Sequence, residues 1–120
     1  MMQRLVLKIF YARMDDALDF FVAGLGFEVL HRDETLAVVA RDGCKAHLVE
    51  DAEFAAKDRP ELSIETDAIE PIHDEIVARR PDLLHPNAKT ITRRPWGALE
   101  FAVRDTSQVC VIFREWPEER

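Results

Sequence analysis

The chain has 120 residues, of which 48% are hydrophobic and 32% charged, with a formal net charge of −7. That is enough for one domain with its own core and too little for two full ones. The acidic balance argues against a nucleic-acid partner, which needs a basic face to displace counterions, and it fits ordinary solubility better than attraction of a cationic partner.

Leu5 to Tyr11 is rich in Leu, Val, Ile and aromatic residues and predicts a strand. Asp15 suits the N-cap of a helix over about Asp16 to Ala23, whose apolar positions Ala17, Leu18, Phe20, Phe21 and Leu25 recur at helical spacing. Gly24 and Gly26 stop it. Phe27 to His31 and Thr35 to Ala40 read as strands, Arg41-Asp42-Gly43 as a turn, and Lys45 to Glu50 as a further strand. Asp51 to Pro60 is polar and alanine-rich and reads as a linker with a helical turn around Glu53 to Ala56. The order then begins again with a strand over Leu62 to Thr66. Asp67 is the expected cap of a second helix carrying Ile69, Ile72, Ile76 and Val77, with Pro71 tolerated near its start and Pro81 ending it. Leu83 and Leu84 are expected to open a short strand, and Ala88 to Arg94 to form another strand or an irregular edge. Leu99 to Val103 and Val109 to Arg114 close the chain as strands around a turn at Asp105 to Ser107.

Both halves therefore run strand, helix, then a short series of strands, which predicts an α+β fold with module one at about residues 1–52 and module two at about 60–120. Cys44 and Cys110 form no Cys-x-x-Cys pair, so there is no zinc or redox signature. The amino-terminal residues lack the apolar core of a signal peptide, and no apolar run approaches the roughly 20 residues of a membrane span. A cytoplasmic protein with free thiols, and no membrane partner, is expected.

Three stretches carry a family resemblance. Asp16-Ala17-Leu18-Asp19-Phe20-Phe21 followed by Gly24-Leu25-Gly26-Phe27 is similar to the first-helix pattern of the vicinal oxygen chelate superfamily. Arg94-Pro95-Trp96-Gly97 with Glu100 to Asp105 resembles its late Pro-Trp-Gly stretch, and Ile64 to Val77 resembles its second helix and the strand before it. Within the glyoxalase/bleomycin resistance protein/extradiol dioxygenase group, the resemblance leans to bleomycin-resistance proteins. One departure is Asp105-Thr106-Ser107-Gln108, where the family has Asp-Pro-x-Gly. The resemblance implies two βαβββ modules whose curved mixed sheets form a cleft completed by dimerisation. Enzymes of the superfamily hold a divalent metal in that cleft.

The resemblance places metal ligands at the positions of Val6, His47, Glu61 and Ile112. Val6 and Ile112 cannot ligate, which leaves His47 and Glu61, and a one-residue shift of register would turn Glu61 to the other face. Two ligands are fewer than a catalytic site needs, so no cofactor is expected and a divalent metal is the minority alternative. A half-buried strand histidine bonded to a neighbour is the plainer reading of His47. His31, His73 and His85 read as surface residues.

Strand alternation sends Leu62, Ile64, Phe101, Val103, Val109, Val111 and Phe113 toward the helices. Their alternates face the cleft that the resemblance implies: Lys8, Phe10, His47, Ser63, Glu65, Glu100, Cys110, Ile112 and Arg114, with Trp96 at its edge. From these, Phe10, His47, Ser63, Glu65, Trp96, Glu100, Ile112 and Arg114 are the candidate ligand-binding residues, and no catalytic residue is assigned. Alternatives stay open: Phe10 as dimer core, Trp96 as loop packing, Glu100 and Arg114 as a cross-strand ion pair. Cys110 reads as a small buried filler, since no base adjoins it. The expectation is a metal-free homodimer that sequesters a small, antibiotic-like, cationic or aromatic ligand. A metal-dependent lyase, isomerase or dioxygenase with an atypical site is the alternative, and a regulatory partner with a filled cleft is a third.

Overall fold

Parallel strands cannot be joined by a tight turn, and in this chain each parallel pair is the first and last strand of one repeated run of elements. We describe it from a computed structural model, in which residues 1–57 and 59–117 are described. The chain divides into two units, Met1–Arg59 and Pro60–Arg120.

In the first unit, β1 (Leu7–Tyr11) is followed by helix α1, which begins as an α-helix over Met14–Leu18 and continues as a π-helix over Asp19–Gly24. Strands β2 (Glu28–Arg32), β3 (Leu36–Arg41) and β4 (Cys44–Glu50) follow, then the single-turn helix α2 (Ala52–Ala55). The sheet order is β1-β4-β3-β2, with β1 parallel to β4. The second unit repeats this with β5 (Glu61–Glu65), helix α3 (Ile69–Arg79), a 3₁₀ turn (Pro81–Leu83), β6 (Thr92–Arg93), β7 (Leu99–Arg104) and β8 (Cys110–Glu115). Its order is β5-β8-β7-β6, with β5 parallel to β8. Two four-stranded mixed sheets with helices make this a two-module α+β fold.

Each unit buries one face of its sheet. In the first, Ile9, Tyr11, Ala37, Val39, Ala46 and Leu48 are buried along with Met14, Ala17, Phe20 and Phe21 of α1. Phe21 meets Phe20 and Phe27 edge-on, with centroids 5.2 and 5.4 Å apart. In the second, Phe101 stacks on Phe113 at 5.1 Å, and His73 of α3 stands edge-on to Phe101 at 4.8 Å. Burying one such aromatic side chain is worth about 1.5–3 kcal/mol.

Several local expectations are corrected. The helix caps are Arg13 and Ala68, not Asp15 and Asp67, and neither makes a side-chain cap bond. The first N–H of each helix donates instead to a distant carboxylate: Met14 to Glu50 Oε2 at 2.7 Å, and Ile69 to Glu115 Oε1 at 3.0 Å. Glu50 and Glu115 each end the closing strand of their unit, so a long-range bond replaces the local one. Within α1 the Leu25 N–H reaches back to the Phe20 carbonyl, and the wider π turn accommodates consecutive, fully buried Phe20 and Phe21. Leu83 closes a 3₁₀ turn rather than opening a strand, and Leu84 makes only a single bridge to Val103, because Pro81 presets the turn. Ala88 to Arg94, by contrast, is the irregular edge that was expected as one of two readings, with Thr92–Arg93 as its strand at the end of the sheet order. His73 is half-buried rather than on the surface, its Nε2 donating to the Lys89 carbonyl at 2.7 Å.

Candidate functional site

The registers and the two long-range caps superpose the modules residue by residue. Phe10 pairs with Val49 and Val49 with Leu36; in the second unit Glu65 pairs with Arg114 and Arg114 with Glu100. Val49 and Arg114 each directly precede a capping glutamate, so these two cross-strand rows are equivalent. Both lie on the face opposite the buried one, where side chains are half-exposed in the first unit. The row is apolar in one module and charged in the other.

On the first unit's open face, Phe10 does not stand bare. Phe54 of α2 stacks on it with centroids 5.1 Å apart, and Lys57 Nζ lies 5.4 Å from the Phe54 ring centre. The helix turn carrying Phe54 is capped by Asp51, whose Oδ1 accepts from the Phe54 N–H at 3.1 Å. Phe54 is 51% exposed. The helical turn expected around Glu53 to Ala56 is thus present at Ala52–Ala55; the contact of Phe54 with Phe10 was not foreseen, although Asp51 three residues before Phe54 is a local capping signal. His47 is half-buried between Lys8 and Val38 of the neighbouring strands, and no side-chain bond joins it to a neighbour among the described residues, contrary to the expectation.

The second unit's open face is built around Glu100, which is only 5% exposed. Its Oε2 accepts from Arg114 Nε at 2.6 Å and from Trp96 Nε1 at 2.9 Å, and Arg94 Nε stands 3.7 Å from Oε1. Burial pushes the Glu100 carboxyl up, but the bonds from Arg114 and Trp96 and the charges of both arginines outweigh it, so it lies below the usual glutamate range. At the far end of the row, Trp116 Nε1 donates to Glu65 Oε2 at 2.7 Å. The cross-strand pairing of Glu100 with Arg114, one of the two readings left open, is therefore present. Trp116 and Arg94 were missed; Trp116 continues the alternation two residues past Arg114, which was the available signal.

Trp96 reaches this network from the β6–β7 hairpin. Pro95 presets the second position of a turn closed by the Gly97 N–H on the Arg94 carbonyl at 2.9 Å. Gly97 has φ 96°, open to glycine at no steric cost, and the Arg94 N–H then meets the Ala98 carbonyl at 2.8 Å. The indole is 51% exposed. Ser63 and Ile112 pair with each other in the next row, beside Ala102. Cys110 is half-buried, not a fully buried filler, with Glu61 and Arg104 as cross-strand neighbours; burial and the Glu61 charge push its thiol up, away from nucleophile chemistry.

The ligand positions implied by the resemblance can now be tested. His47 and Ile112 each stand three residues before a capping glutamate, and so are equivalent. Glu61 opens β5, while Val6 lies just before β1. His47 pairs with Lys8, and Ile112 pairs with Ser63 and Ala102. Among the described residues, neither unit gathers three His, Cys, Asp or Glu side chains that could hold a metal.

No family model matches the chain by sequence, and no curated protein matches it either. Solved structures do. A bleomycin-binding protein complexed with bleomycin superposes with a TM-score of 0.80 at 12% identity, over 95% of this chain and 98% of that one. A bleomycin-binding protein from Streptomyces verticillus, complexed with copper(II)-bleomycin, gives 0.73 at 25% identity over 94% and 97%. A glyoxalase/bleomycin resistance protein/dioxygenase from Alicyclobacillus acidocaldarius gives 0.79 at 17% identity over 97% and 92%.

Proposed function

We propose that this chain, which has the fold of the vicinal oxygen chelate superfamily, is a metal-free small-molecule-binding protein that sequesters an aromatic, antibiotic-like ligand as a homodimer. The observation that carries this reading is Trp96, a half-exposed indole fixed at its backbone by a proline–glycine turn and at its N–H by a buried carboxylate. Such a ring is a stacking surface that loses little freedom when a flat ligand lands on it. The likeness to bleomycin-binding proteins supports the ligand class. In the second unit Ser63, Glu65, Ile112 and Arg114 join Trp96 as proposed contacts, and in the first unit Phe10 and His47 are proposed contacts, with Phe54 added from the structure.

Chemistry is not part of the proposal. Glu100 and Arg114 neutralise each other, burial and the Glu61 charge push the Cys110 thiol up, and the chelating positions hold Val6, His47, Glu61 and Ile112. Thermal-shift measurements with bleomycin, with and without divalent metals, test it. Ligand at a hundred times its Kd adds about 2.7 kcal/mol and should raise Tm by roughly 10 °C. Trp96→Ala should remove most of that shift; an unchanged shift sinks the site assignment. Elemental analysis of protein purified without chelators tests the metal-free part. Stoichiometric Zn, Mn, Ni or Fe that disappears in His47→Ala would favour a lyase, isomerase or dioxygenase instead.

A further inference from the structure

Side chains at the surface of a hairpin turn usually sample several rotamers, and an indole that samples them is a poor stacking surface. Trp96 is held differently. Its Nε1 donates at 2.9 Å to the same Glu100 oxygen that takes the Arg114 Nε at 2.6 Å. Glu100 cannot swing away to follow the indole, because it is 5% exposed and its other oxygen faces Arg94 at 3.7 Å. Two arginines thus fix the carboxylate, and the carboxylate fixes the ring.

We propose that Glu100 is a positioning residue for ligand recognition: it meets no ligand itself, and it holds the plane of the Trp96 indole as a preformed stacking surface before the ligand arrives. This rests on the binding function proposed above. It assigns to Glu100 a role different from direct contact, and it makes Arg114 and Arg94 the supports of that role. Acting through the indole, Glu100 should matter only while an N–H stands at residue 96.

The test uses the full chain in a Trp116→Phe background, so that all tryptophan emission comes from Trp96. Glu100→Asp keeps the charge that pairs with the arginines and withdraws it from the indole by one methylene. Time-resolved fluorescence anisotropy without ligand should then show a lower residual anisotropy for Trp96, and titration with bleomycin should show binding weakened roughly two- to tenfold. Glu100→Met, of similar length and with no acceptor, gives the same readout if the aspartate variant does not fold. In the Trp96→Phe background, Glu100→Asp should cost no further affinity. Unchanged anisotropy, or an equal loss of affinity in the Trp96→Phe background, overturns the proposal. A parent chain that does not bind bleomycin overturns the proposed function, while the anisotropy still decides whether Glu100 holds the ring.

Discussion

Glu100 shows how a residue can be polar, buried and stable at once. A lone carboxylate at its depth would take up a proton; with two arginines and an indole N–H around it, it stays ionised. Replacing it by glutamine, Glu100→Gln, should cost about 1–3 kcal/mol at neutral pH in urea unfolding. The sign of its pH dependence follows from the lowered folded value. The carboxylate stabilises the fold above the ordinary glutamate range, and that contribution is lost as pH falls through the lower folded value. The stability gap between wild type and Glu100→Gln should therefore be widest above the ordinary glutamate range and should narrow as the pH falls below it. A gap that widens in acid would contradict this.

Gln108 is the other instructive residue. The turn before β8 has no Pro or Gly, yet it needs a left-handed residue, and Gln108 adopts φ 69°. Asp105 holds the turn together, its Oδ1 accepting from the Ser107 and Val109 N–H groups at 2.8 and 2.9 Å. A non-glycine residue in this region costs about 1–3 kcal/mol, part of which glycine gives back through its greater freedom when unfolded. Gln108→Gly should thus stabilise by about 0.5–1 kcal/mol, visible as a higher urea midpoint with an unchanged slope.

At the scale of the element, the helices illustrate where local rules give way. Asp15 and Asp67 have the chemistry of N-caps and sit beside the right positions, but the capping oxygens come from Glu50 and Glu115. Both glutamates carry their charge to a helix amino terminus, where the helix dipole favours it. Each bond ties the start of a helix to the end of its unit's parallel strand pair. Glu50→Ala and Glu115→Ala should each lower stability by about 1 kcal/mol in urea unfolding, as a lost cap does. Asp15→Ala and Asp67→Ala should cost less, which a purely local capping rule would not predict.

At the scale of the molecule, the two modules share a frame and differ in what they present. The equivalent rows Phe10–Val49–Leu36 and Glu65–Arg114–Glu100 place apolar surface on one unit and paired charges on the other. The homodimer proposed above would bring a partner subunit to these half-exposed faces. On a sizing column the 13.8 kDa chain should elute as a dimer. Elution as a monomer at all working concentrations would count against a two-subunit cleft.

Much of this was legible in the amino-acid sequence. Hydrophobic alternation and helical spacing are local properties, so the main helices and strands, their repeat and the alternation along β5 and β8 followed from them. The Arg94-Pro95-Trp96-Gly97 stretch entered only through the family resemblance, although its proline and glycine are local turn signals. What only the tertiary structure decided was which distant groups meet. Glu50 and Glu115 found their helices, Phe54 found Phe10, and Glu100 gathered Trp96, Arg114 and Arg94. Such pairings, from 4 to 46 residues apart along the chain, depend on register and on the burial of both partners, and neither is written in any single stretch of chain.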